Sequence, residues 1–114
     1  MERINFSYNW NNKLYSKCFI TYRVLNSRFR IEADYDIFLK DKHIGTAKLV
    51  HYQEIPLNKV TPGIACIDTG YDLKEFHSIV AKMYKLEPGK PPPRFVLLFL
   101  RWNEYPFNIS KELT

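Results

Sequence analysis

The stretch Arg94-Phe95-Val96-Leu97-Leu98-Phe99-Leu100-Arg101-Trp102 decides the fold class. Its apolar residues occupy both parities. Successive side chains of a strand point to opposite faces, so such a run is expected to be covered on both sides and to lie centrally in a sheet. The heptapeptide Glu87-Pro-Gly-Lys-Pro-Pro-Pro93 precedes it. Proline fixes φ and removes a donor, so this segment is a stiff, non-helical entry to the strand.

Working outward, Leu73 to Lys85 is the clearest helix. Asp72 is placed to cap it, and Glu75 stands three residues on. Leu73, Phe76, Ile79, Val80, Met83 and Tyr84 recur at helical spacing, while Lys74, His77, Ser78, Lys82 and Lys85 fill the other face. Arg3 to Trp10 alternates as a strand, and the Asn9, Asn11, Asn12 cluster breaks it. Lys13 to Ser16 leads into a second strand, Lys17 to Val24. Phe29 to Glu32 reads as a short edge segment. Tyr35 to Lys40 and Ile44 to Tyr52 form a hairpin about Asp41-Lys42-His43, with Gly45 marking a bulge or close backbone approach. Pro56 to Asp68 reads as two short helical pieces ended by Thr69-Gly70. Short strands with so little helix between them do not make parallel βαβ units. The expectation is an α+β fold: a small, partly closed antiparallel β-barrel with two or three flanking helices. It forms one domain over residues 1–102, followed by a polar tail, 103–114.

The 114 residues include 8 Phe, 8 Tyr and 2 Trp, enough aromatic bulk for a core without staples. Lys and Arg number 17 against 12 Asp and Glu, a formal charge of +5. That balance favours phosphate-bearing partners, although it is also an ordinary solubilising charge. Cys18 and Cys66 form no CxxC pair and are read as buried thiols in a reducing compartment. The opening Met-Glu-Arg-Ile-Asn has no apolar signal core, and the run Phe95 to Leu100 is too short to span a bilayer. The chain is therefore expected in the cytoplasm, away from membranes.

No phosphate loop or nucleophile elbow is present, and His43, His51 and His77 lack zinc-ligand spacing. Neither a metal nor a cofactor is expected. The chemistry-bearing segment is Lys17-Cys18-Phe19-Ile20-Thr21-Tyr22-Arg23. Lys17, Phe19, Thr21 and Arg23 share one face, combining an amine, a ring, a hydroxyl and a guanidinium. That set suits a phosphate and a base edge. Cys18, Ile20, Tyr22 and Val24 form the expected core face. Arg28 and Arg30 add a second basic pair. Asp68, Thr69 and Tyr71 precede the capped helix, where Asp68 is positioned to meet a folded-back Lys17. The blander readings are a solvated strand face and a helix-ending Asp-Thr-Gly cap.

The Lys-x-x-x-Thr-x-Arg strand, the hairpin with its glycine, the Asp-Thr-Gly-Tyr helix entry and the closing Phe-Val-Leu-Leu-Phe strand together resemble the ASCH domains of the PUA-like superfamily. The likeness covers about residues 3 to 102. It implies a cleft between barrel and helix that binds RNA or a nucleotide. One branch of that family is an amidohydrolase for acylated cytidine that uses a lysine, a threonine and a glutamate. Lys17 and Thr21 resemble the first two. The lysine-to-threonine interval is one residue longer here, and the glutamate's place falls near Asp68-Thr69. The resemblance thus implies an RNA- or nucleotide-binding module built on Lys17, Phe19, Thr21, Arg23, Asp68, Thr69 and Tyr71. One alternative is an amidohydrolase in which Lys17 is the activated amine, Asp68 the base or orienting group and Thr21 the group that positions the substrate. A further alternative, carried by size and charge alone, is a phage- or mobile-element-type regulator docking on a ribonucleoprotein.

Overall fold

A computed structural model describes residues 1–104. The tail expected from residue 103 onward thus lies almost wholly outside the described residues. The strands are β1 (Arg3–Phe6), β2 (Cys18–Val24), β3 (Asp34–Leu39), β4 (Lys42–Glu54) and β5 (Phe95–Trp102). The helices are α1 (Pro62–Thr69) and α2 (Leu73–Met83), with 3-10 turns at Trp10–Tyr15 and Leu57–Lys59. The strands form one sheet in the order β1-β3-β4-β5-β2.

That sheet curls into a half-barrel with two apolar layers. Phe6, Leu14, Phe19, Tyr35, Ile37, Leu49, Leu98, Leu100 and Trp102 fill the concave side. Tyr22, Phe95 and Leu97 meet Phe76 and Val80 of α2 and Ala65 of α1 on the convex side. β5 is buried on both faces and pairs with β2 and β4, as its unbroken apolar run requires. β4 bonds β3 along Lys42–Lys48 and β5 along Ala47–Glu54, so one long strand carries the curl. The β3–β4 connection is the two-residue turn Lys40-Asp41, with φ of 50° and 67°, in place of the expected Asp41-Lys42-His43, because Lys42 and His43 already pair with Leu39 and Phe38. Positive φ at both central positions matches the right-handed twist of a hairpin. Opposite the register shift at Ile37/Phe38, a Cβ on Gly45 would stand 3.1 Å from the Trp102 ring. Both expectations for that glycine are met.

Several expectations change. The sheet is mixed, because β1 runs parallel to β3, whereas an all-antiparallel barrel was expected. β1 ends at Phe6, and Phe29 to Glu32 forms turns instead of an edge strand. Both cysteines are exposed. Cys18 opens an edge strand, and Cys66 occupies the solvent side of α1 while Ala65, Asp68 and Thr69 are buried. β2 has no solvated face over its middle: Phe19 enters the concave core and Tyr22 the convex one. His77 is half-buried, with Nε2 shielded from solvent. Among the described residues, no helix is long and apolar enough to cross a membrane.

The helix pair is fixed at its ends. Asp72 accepts from the Glu75 amide at 2.9 Å, and Thr61 accepts from the Ile64 amide at 3.2 Å. α1 stops at Gly70, whose φ of 81° is left-handed, and whose amide bonds the Cys66 carbonyl. A Cβ there would stand 3.1 Å from Asn11 Oδ1. Gly70→Ala should therefore lose about 1–2 kcal/mol from the backbone conformation. Crowding of Asn11 adds to that loss. Thermal unfolding should report it as a drop of roughly 4–8 °C per kcal/mol; an unchanged midpoint would refute the cap assignment.

Candidate functional site

The edge strands β1 and β2 face each other across the open side of the half-barrel without pairing. Side chains bridge this seam. The Phe6 and Phe19 ring centroids are 6.1 Å apart, and the Arg23 guanidinium carbon lies 4.6 Å from the Phe6 centroid. A recess of about 200 Å³ opens there, lined by Asn5, Phe6, Ser7, Trp10, Lys13, Thr21, Tyr22, Arg23, Asp68, Thr69 and the inner face of α2 with Tyr84.

At its base Lys13 Nζ donates to Asp68 Oδ1, and both residues are buried. The local chain explains how a lysine gets there. Asn11 and Asn12 hold left-handed φ of 58° and 53°, a conformation asparagine tolerates better than most residues. Asn11 Nδ2 donates to the Cys66 and Ile67 carbonyls, clamping the 10–15 turn to the end of α1. Asn9 Oδ1 accepts from the Leu14 amide at 2.9 Å, and Trp102 Nε1 donates to the Leu14 carbonyl at 3.2 Å. Leu14 is fully buried, so it carries its neighbour Lys13 into the seam. On α1, Asp68 and Thr69 lie on the inner side. Thr69 Oγ1 donates to the Ala65 carbonyl and accepts from the Tyr71 amide, so that hydroxyl is engaged within its own helix end.

Burial pushes the Lys13 ammonium below its ordinary 10.5, with Asp68 opposing and Arg23 assisting the shift. Arg23 Nε donates to Thr21 Oγ1 at 3.0 Å. Burial also lowers Arg23, against the pull of Tyr84 and Asp68, but a guanidinium stays cationic in a protein. Burial likewise raises the Tyr84 phenol. Among the described residues no carboxylate forms an ion pair with Arg23, whereas Arg94 is held bidentately by Glu54 at 2.6 and 2.7 Å. With two cations and one carboxylate, the recess favours an anionic ligand.

The sequence-predicted residues divide. Thr21, Arg23, Asp68 and Thr69 converge on the recess. Tyr71 stands at its mouth, 46% exposed, with its ring centroid 6.2 Å from that of Trp10. Phe19 is core. Lys17 is exposed and outside the recess lining, and the expected Lys17–Asp68 juxtaposition is replaced by Lys13–Asp68. Arg28 and Arg30 line a separate surface depression with Glu2 and Asp34, where Arg28 pairs with Glu2. Lys13 was missed because it lies in a turn, where strand parity says nothing, and Trp10 because parity assigns it to the end of the first strand, which stops at Phe6. Their one local signal is the asparagine cluster around them.

A larger crevice of about 520 Å³, lined by Pro56, Leu57, His77, Pro92, Pro93 and Phe95, is mostly apolar. Its charged residues, Glu54 and Arg94, are bonded to each other. Among the described residues no three His, Cys, Asp or Glu side chains gather as a metal ion would need. No family model, curated protein or solved structure matches this chain.

In an NMR titration the Lys13 side chain should lose its proton at lower pH than the exposed lysines. In Asp68→Asn it should do so lower still, because the opposing carboxylate is gone. The folded chain then holds this proton less tightly than the unfolded chain. Lys13's contribution to stability accordingly rises as pH climbs from the folded value toward 10.5. Asp68→Asn leaves a buried ammonium uncompensated and should cost about 3–5 kcal/mol. Titration of Lys13 together with the surface lysines would contradict its burial.

Proposed function

We propose that the recess binds a nucleotide or one nucleotide of an RNA, and that the chain is a PUA-like binding module. The observation that carries this reading is the half-buried Arg23 guanidinium beside Thr21, paired with no carboxylate among the described residues, in a base-sized recess walled by Phe6, Trp10 and Tyr84. Arg23 offers its remaining N–H groups to a phosphate, as a planar fork of donors suits. Thr21 accepts from Arg23 and keeps its own hydroxyl proton for a base or ribose oxygen. The aromatic walls supply dispersion and stacking for a flat ring. The element order that resembles ASCH domains, with a cleft between barrel and helix, supports the same reading. In one respect the resemblance is altered: the amine facing the carboxylate is Lys13, not the motif's Lys17.

Calorimetry with nucleosides and their 5′-monophosphates, at about 50 and 200 mM salt, tests this reading. The monophosphates should bind more tightly, and more so at low salt. Arg23→Gln should weaken them by roughly 10- to 100-fold, the loss of a charged hydrogen-bond pair. Failure of every nucleotide and short RNA to bind at low salt removes the proposal.

A second reading rests on a different observation: an amine, a hydroxyl and a carboxylate meet in one recess as Lys13, Thr21 and Asp68. An amidohydrolase for an acylated cytidine-type nucleoside would use that set. Lys13, its proton affinity reduced by burial, would take a proton from water as the water adds to the acyl carbonyl. It would return that proton to the departing exocyclic nitrogen as the C–N bond breaks. Asp68 would orient the amine. Equal turnover of acylated cytidine by wild type and Lys13→Ala would dismiss this reading.

A further inference from the structure

The mouth of the recess carries aromatic surface that a free mononucleotide would not use. Trp10 lines the recess, and Tyr8 and Tyr71 stand edge-on to it, with centroids 5.0 and 6.2 Å away and planes at 66° and 70°. Neither tyrosine lines the recess itself. They are 54% and 46% exposed, and among the described residues neither ring makes a stacked contact with another. They come from separate elements: Tyr8 from the segment after β1, and Tyr71 from the α1–α2 junction. Each touches Trp10, and no ring contact joins the two.

From this arrangement we infer that the ligand is a single-stranded nucleic acid. The recess takes one base, and Tyr8 and Tyr71 stack on its neighbours along the strand. The inference rests on the nucleotide-binding reading of the recess and adds that the ligand is a polymer. Three features favour a nucleic-acid strand over a protein partner. The aromatic rim is continuous with the recess through Trp10. The recess holds an excess of cation over carboxylate. The whole chain carries a formal charge of +5, which draws a polyanion. Ring faces beside a basic pocket are the usual platform for successive bases, because every base has a π-face. Scattered exposed aromatics are ordinary on a protein surface; two packed on the wall of one pocket are not scattered.

The test compares a mononucleotide with short single-stranded RNA and DNA oligomers, by calorimetry and fluorescence anisotropy, on the full chain. The proteins are wild type, Tyr8→Ala, Tyr71→Ala and the two Tyr→Phe variants. At least one oligomer type should bind about tenfold or more tightly than the mononucleotide. Each alanine variant should lose roughly 5- to 100-fold on that oligomer, with mononucleotide affinity unchanged and phenylalanine restoring the oligomer. Both tyrosines are exposed, so unchanged thermal midpoints should accompany these effects. If wild type binds the mononucleotide but no oligomer more tightly, or if the alanine variants bind oligomers as wild type does, the rim inference is overturned and the recess reading stands. If wild type binds neither ligand, both fall together.

Discussion

The unpaired seam between β1 and β2 governs this molecule. A five-stranded sheet that curls this far brings its two edges face to face but does not join them. Open edges invite pairing with other chains, and they leave the space between them to be filled. Here side chains and short helical elements fill it. Phe6 and Phe19 close the lower part with rings, and Leu14 plugs the concave core. The 10–15 turn and α1 lie against β2. What is left over is the recess, so the site is a by-product of incomplete closure.

Filling that seam with a charged pair instead of apolar groups is costly. Desolvating an ammonium and a carboxylate is repaid only by good geometry, and a hydrophobic pair of similar volume would often do as well for stability. Lys13 and Asp68 are both almost wholly buried, and Arg23 adds a second cation close by. Three ionisable groups collected where the fold could have used leucine and valine are what the proposed ligand-binding use of the site rests on. The surrounding hydrogen bonds serve the same end: Asn11 ties the lysine-bearing turn to the helix that carries the aspartate.

Much of the architecture was legible because its signals are local. β5 announces itself by apolar residues on both parities, α2 by Asp72 and the spacing of Phe76 and Val80, and the β3–β4 hairpin by its turn. The parallel pairing of β1 with β3 left no such mark, since Arg3 meets Asp36 across more than thirty residues of chain. For the site, strand parity put Thr21 and Arg23 on one face, and the helix entry supplied Asp68 and Thr69. Parity also put Phe19 and Lys17 there. It could not reveal that the concave core would absorb the ring, or that the strand would begin one residue after the lysine. Lys13 depends on two left-handed asparagines, a buried leucine and an indole 88 residues from that leucine in the sequence. None of these constrains its own position without the others.

Because Lys13 is delivered by a turn, its distance along the chain from Thr21 is uncoupled from strand register. A strand residue can move only in steps of two without changing faces. A turn residue can be supplied from any offset that the clamp to α1 allows. Divergent chains could therefore keep the same charge constellation while scrambling the spacing that would advertise it. Kinship in such proteins would be easier to trace by superposing the ammonium, carboxylate and guanidinium in space than by aligning letters.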